Sequence, residues 1–98
     1  ADMATRAAAA RILTEQAALA YQQGKRADME AGMAKLYATE AAMENAIDAM
    51  RVHGGYGYSK EFPIERMFRD APLLLIGEGT NEIQRIVIAR QLIDRNRI

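Results

Sequence analysis

Glu78 is the residue whose surroundings in this sequence most suggest chemistry. It stands in Gly77-Glu78-Gly79, directly after the apolar run Leu73-Leu74-Leu75-Ile76 and just before a helix start at Thr80-Asn81. Glycines allow a ligand to approach the backbone closely. An apolar surround makes a carboxylate a stronger base near neutral pH. The first N–H groups of a helix are free to hold an anion or a polarised carbonyl. The competing reading is plain electrostatics, because a glutamate near a helix N-terminus is favourable without any function. A second candidate is Arg51 to Gly57, where three glycines in four residues end a helix and can present bare backbone to a phosphate or nucleotide. Its competing reading is a C-cap followed by a loop, with His53 as a capping or packing histidine and Tyr56 and Tyr58 as packing aromatics. Glu40 interrupts an otherwise apolar helical seam. It reads as a paired or partly exposed acid at a helix contact, with a catalytic role as the remote alternative.

The composition bounds what else the chain could be. It has 98 residues, 13 Lys plus Arg against 13 Asp plus Glu, one His and no Cys. Zero net charge argues against a nucleic-acid binder. Without cysteine there is no disulfide framework or thiolate chemistry, and one His leaves no metal site to expect. No apolar run approaches the roughly 18 residues of a membrane span. Residues 51–98 carry eight cations and six acids, and residues 1–50 carry five and seven. That imbalance is too small to mark a polyanion surface. Arg66, Arg69, Arg85, Arg90, Arg95 and Arg97 therefore read as solvated faces and ion pairs.

The elements that must position these residues are helical. Ala1 to about Gln23 is alanine-rich, and Gly24-Lys25-Arg26 supplies a left-handed stop with cations at the C-terminus. Asp28 is a candidate cap for a second helix. Met29, Met33, Leu36, Glu40, Met43, Ile47 and Met50 follow at steps of three and four, which gives a seam from about 29 to 52. Flanking alanines permit close helix approach, and Gly32 within the seam costs about 1 kcal/mol relative to Ala. Pro63 opens a short helix to about Asp70, and Pro72 disfavours helix at Ala71. Leu73 to Ile76 then reads as a buried connector. Thr80 or Asn81 caps a last helix to about Arg95, with Asn81 and Gln84 at capping-box spacing. The predicted architecture is an all-α, up-down helical bundle of three long helices and one short one.

Several motifs are then recognisable together. Arg51-Val-His-Gly-Gly-Tyr-Gly-Tyr58, Phe62-Pro-Ile-Glu-Arg66, Arg69-Asp-Ala71, Ile76-Gly-Glu-Gly-Thr-Asn-Glu-Ile-Gln-Arg85 and Ile88-Ala-Arg90 resemble the C-terminal signature of the acyl-CoA dehydrogenase family. Ala1-Asp-Met-Ala-Thr-Arg6 and Met33-Ala-Lys-Leu-Tyr37 are similar to it as well. The resemblance implies that residues 1–98 are part of the C-terminal four-helix bundle of a longer flavoprotein, without that bundle's first helix. It implies an FAD-dependent enzyme that oxidises an acyl-CoA to the trans-2-enoyl-CoA, taking the α proton on a carboxylate and passing the β hydrogen to flavin as hydride.

By the same resemblance Glu78 is the base and Gly79 meets the acyl-CoA. Arg51, Val52, His53, Gly54 and Gly55, together with Thr80, Asn81 and Glu82, lie against FAD, the first group reaching the flavin of a neighbouring subunit. Arg51 stands where many members carry Gln, and Gly77 where many carry a bulky aromatic, which widens the pocket. The implied partners are an electron-transfer flavoprotein and further copies of the chain in a tetramer, with no nucleic acid, membrane or metal. The implied location is the bacterial cytoplasm, or else the mitochondrial matrix. The 98 residues alone are expected to be inactive and to hold no FAD. Two other readings stay open: a family oxidase that delivers electrons to oxygen, and a non-catalytic helical self-association module. Removing one bundle helix would leave the Met29-to-Met50 seam and the Ile83-to-Ile93 face to pair with another copy.

Overall fold

The structure is a computed structural model and describes residues 1–97. It contains α1 (Asp2–Gln22), α2 (Asp28–His53), a 3-10 turn (Gly54–Tyr58), α3 (Pro63–Ile76) and α4 (Asn81–Arg95). No strand occurs among the described residues, so the all-α reading holds. No helix is long and apolar enough to cross a membrane among those residues.

The longest helix, α2, is the spine. α1 folds back along it after a left-handed stop at Gly24, where φ is +74°. The Gly24 N–H donates to the Tyr21 carbonyl and the Lys25 N–H to the Ala20 carbonyl, each at 3.1 Å. These two bonds satisfy carbonyls that the helix end would otherwise orphan. Arg6 on α1 meets Glu44 and Asp48 on α2 at 3.0 and 2.6 Å, so the two helices are antiparallel.

On the rest of the spine α3 and α4 follow one another end to end, both running against α2. Ile64 and Met67 of α3 share a groove with Ala46 and Ala49 near the C-terminal end of α2. Arg95, at the end of α4, meets Glu30 near the start of α2 at 2.5 Å. The segment 77–80 therefore lies at the junction of α3 and α4, opposite the middle of α2.

The small residues let these helices approach closely. Ala34, Ala41, Ala46, Ile64 and Ala71 are the buried apolar residues, and Gly32 is buried with them. A Cβ on Gly32 would lie 3.1 Å from Ile88 Cγ1 and 3.3 Å from Gln84 Oε1. That contact explains a glycine in mid-helix, because α4 seats directly on its backbone. Of the seam residues, Met29, Met33, Leu36, Met43 and Met50 are half-buried and Ile47 is exposed. The seam is thus partly covered within the bundle, and part of it stays exposed.

Three local expectations are corrected. Asp28 is the first residue of α2 rather than its cap; Ala27 is the cap and makes no side-chain bond, while Asp28 accepts from Arg26 Nε at 3.0 Å. α3 does not end at Asp70 but runs through Pro72 to Ile76. Packing of Ile64 and Ala71 on α2 holds the helix despite the N–H that proline lacks. Leu73, Leu74 and Ile76 are consequently exposed helical residues, at 66, 47 and 60 %, and not a buried connector.

Candidate active site

The segment around Glu78 is held from both sides and from beneath. α3 stops at Ile76, and Gly77 is extended with φ −72° and ψ 149°. Glu78 has φ +56°, the one non-glycine residue with positive φ among those described, and Gly79 has φ +82°. A left-handed glutamate costs roughly 1–2 kcal/mol, so the surroundings must impose it. Gln84 does so: its Nε2 donates to the Glu78 carbonyl at 3.1 Å. The same nitrogen lies 2.9 Å from where a Cβ on Gly79 would stand. Glycine at 79 is therefore favoured by its conformation, and a Cβ there would also displace the end of the Gln84 side chain.

The start of α4 completes the turn. Thr80 Oγ1 accepts from the Ile83 N–H at 3.2 Å and is the N-cap, which stabilises a helix by about 1 kcal/mol. Asn81 does not cap. Its side chain is 1 % exposed, more deeply buried than any core apolar residue. Asn81 Oδ1 accepts from Lys35 Nζ at 2.6 Å and from Thr39 Oγ1 at 3.3 Å. Its Nδ2 donates to Thr39 Oγ1 at 2.9 Å and to Glu40 Oε1 at 3.0 Å. The amide orientation follows from charge, since its oxygen faces an ammonium and its nitrogen a carboxylate. Glu40 also lies 3.9 Å from Arg85 Nη2, which bears out its reading as a paired acid at a helix contact.

Glu78 itself is exposed. The dry bracket expected from Leu73 to Ile76 does not form within this chain, because Leu73, Leu74 and Ile76 also face outward. An apolar groove of about 730 Å³ runs between α1, α2 and α3, with Ile64, Met67, Leu73 and Leu74 on its α3 side, and a second concavity is lined by Leu13, Met33, Leu36, Glu40 and Arg85.

Arg51 to Gly55 form a separate place. Arg51, Val52 and His53 close α2 and are exposed, as are Gly54 and Gly55. Gly54 has φ +64°, while a Cβ on Gly55 would meet nothing within 4 Å, so Gly55 leaves bare backbone open. Gly57, by contrast, is buried, and a Cβ there would lie 2.8 Å from the Met50 carbonyl. His53 Nδ1 is 2.8 Å from the Ala49 carbonyl, which makes Nδ1 the protonated nitrogen. Phe62 packs against His53 and Tyr56 with ring centroids 6.4 and 5.4 Å apart. The capping and packing roles foreseen for His53 and Tyr56 are thus present. Twelve residues of α2 separate Thr39 from Arg51, about 18 Å along the axis. The chain therefore does not bring Arg51 to Gly55 together with Glu78, Gly79, Thr80, Asn81 and Glu82 in one pocket.

Sequence reasoning missed Lys35, Thr39 and Gln84 as supports of this segment. The available signal was a polar pair one turn apart, Lys35 and Thr39, beside the apolar seam. No cluster of metal-ligating side chains occurs among the described residues.

Residues 1–93 match the family model of the acyl-CoA dehydrogenase C-terminal domain. The chain is 55 % identical over 93 residues to a cyclohexane-1-carbonyl-CoA dehydrogenase from Geobacter metallireducens, covering 95 % of this chain and 24 % of that protein. It is 45 % identical over 95 residues to a subunit of a caffeyl-CoA reductase–Etf complex from Acetobacterium woodii, covering 97 % and 25 %. Among solved structures, butyryl-CoA dehydrogenase from Megasphaera elsdenii superposes with a TM-score of 0.91 at 42 % identity, covering 94 % of this chain and 24 % of that one. The chain spans about a quarter of the length of the curated relatives it matches.

Proposed function

Because the chain belongs to the acyl-CoA dehydrogenase family, as its C-terminal domain, we propose that it supplies the catalytic base of an FAD-dependent acyl-CoA dehydrogenase. Glu78 takes the proton from the carbon α to the thioester, and the C–H electron pair moves toward the α–β bond. The β hydrogen leaves with its electron pair, and a trans-2-enoyl-CoA results. FAD, when bound, supplies the hydride acceptor. The observation that carries this reading is the left-handed backbone of Glu78. A strained glutamate held through its carbonyl, with glycine on each side, is a residue whose Cα–Cβ bond the fold has aimed. Gly79 leaves room for the acyl-CoA at the base. The exposed Leu73, Leu74 and Ile76 are the apolar surface that the remainder of the longer protein covers, and that cover dries the carboxylate.

The residues fit a flavin in part through backbone. Thr80 Oγ1 is occupied as a cap and the Asn81 side chain is fully engaged by α2. Asn81 and Glu82 therefore offer the free N–H groups of the first turn of α4, and the Glu82 side chain is exposed beside them. Arg51, Val52, His53, Gly54 and Gly55 lie too far along α2 to share that contact, and they meet the flavin of a neighbouring subunit. Arg51 brings a guanidinium suited to phosphate, and Gly55 brings open backbone. The 98 residues alone hold only part of this contact set and bind no FAD.

An electron-transfer flavoprotein is the proposed electron partner, supported by the Etf complex to which one relative belongs. In the full-length enzyme, Glu78→Gln keeps FAD and lowers turnover by roughly 10²–10⁴-fold, the range of general-base catalysis. Unchanged turnover would remove the assignment. Dye reduction by acyl-CoA without oxygen separates a dehydrogenase from an oxidase.

A further inference from the structure

We propose that Lys35 is the positioning residue of the Glu78 loop, one ammonium that fixes both of its ends. This inference rests on reading Glu78 as the base. Lys35 Nζ donates to Asn81 Oδ1 at 2.6 Å on the exit side of the loop. It also reaches the Leu75 carbonyl, at a longer 3.4 Å, on the entry side. The first contact holds the start of α4 and the second the end of α3. The last carbonyls of a helix attract a cation, so an ammonium suits both sites at once. The five residues between Leu75 and Asn81 are thereby spanned from a single point on α2.

The other half of the Asn81 amide is held by Thr39 and Glu40. Cation, amide and anion lie in series, so each contact polarises the next. No buried side-chain polar atom among the described residues lacks a partner. With the network closed, the spacing of the two helix ends is set by one rigid spine. The strained Glu78 backbone then has no slack to relax into.

The test uses the full-length, FAD-loaded protein. Lys35→Met keeps the aliphatic stem and removes the ammonium. Expected are unchanged FAD content, KM within about twofold, and kcat lower by roughly 10²-fold, the effect of misplacing a reacting group by about 1 Å. Lys35→Arg restores most of the kcat. Hydrogen exchange of the bonded backbone amides that frame the loop, Gly77 on the Leu73 carbonyl and Ile83 and Gln84 on Thr80, rises by at least about tenfold in Lys35→Met. Arg95→Met, which breaks the Glu30 contact at the far end of the same helix pair, changes neither readout.

The proposal is overturned if Lys35→Met leaves loop exchange unchanged, or if Arg95→Met reproduces its loss of kcat. Should Lys35→Met fail to fold, near-isosteric Thr39→Val is read by the same exchange measurement. A rise supports the network, and no change overturns it. Loop exchange does not depend on catalysis. A fully active Glu78→Gln would therefore end the base assignment while leaving the exchange result to decide the role of Lys35.

Discussion

At the scale of single residues, the segment 77–80 works through two side chains that are not themselves chemical. Gln84 holds the Glu78 carbonyl and fills the space beneath Gly79, and Asn81 ties the segment to α2. Gly79→Ala meets the strain of a positive φ and pushes the Gln84 amide from a 2.9 Å approach, at the cost of its bond to the Glu78 carbonyl. It is expected to destabilise the chain by about 2 kcal/mol in urea titration, and Gln84→Ala in the same chain should recover only the contact part. Equal losses in both backgrounds would show that the Gln84 amide does not shape the turn. Glu78 and the glycines around it were legible in sequence because their types and order are local. The role of Asn81 was not. Its spacing from Gln84 satisfies a capping box, but its partners are more than forty residues upstream on α2. Tertiary bonding took the asparagine, and the neighbouring Thr80 became the cap.

At the scale of elements, helix stops read well and helix interiors less so. Gly24 and Gly54 both adopt the positive φ that ends a helix. Pro72 suggested a break that does not occur, since α3 has a long face to pack on α2. The run Leu73 to Ile76 shows why a hydrophobic stretch alone misleads. At 100° per residue, four consecutive positions sweep the full circumference of a helix, so some must point outward. Pro72→Ala restores the missing N–H, and helix propensity favours it by up to about 3 kcal/mol. A net gain of about 1–2 kcal/mol is expected by denaturant titration once the freer unfolded chain is counted; a loss would mean that proline shapes α3 for its contact with α2.

Ion pairs between and within elements give a pH signature. A hydrogen bond from Arg95, aided by a backbone bond, holds the Glu30 carboxyl below the usual range. Arg69 does the same for Glu65. In that window the unfolded chain binds more protons than the folded one, so stability rises with pH. The contribution is complete above the ordinary carboxylate value of about 4.3 and is lost as pH falls through the lower folded values. Thermal unfolding from about pH 3 to 7 should show this acid limb, and Glu30→Gln should flatten it.

At the scale of the whole molecule, the chain is a rod of 54 × 23 × 22 Å with a radius of gyration of 16.0 Å. A compact domain of this length would have about 13 Å. Its buried apolar residues are mostly alanines, while Ile12, Leu19, Ile83, Ile86, Leu92 and Ile93 are exposed. A core so thin leaves apolar surface that ordinarily finds a partner once it exceeds roughly 300–600 Å². The chain is therefore expected to self-associate in sedimentation equilibrium as its concentration rises, through the Ile83-to-Ile93 face more than the half-buried methionine seam. A monomer at every concentration would contradict this. The helical class and the order of elements were readable from periodicity. The tandem placement of α3 and α4 along one spine was not, because periodicity says which face is apolar and not which helix it meets.

The notch at Gly32 makes α2 and α4 a vernier. Ile88 sits in it as a tooth, and Gln84, one turn earlier, touches the same notch and the Glu78 carbonyl. A methyl group added at Gly32 would press on that tooth and tilt the Gln84 amide. The push would travel the length of one glutamine and reach the carbonyl of a residue that the altered position never meets.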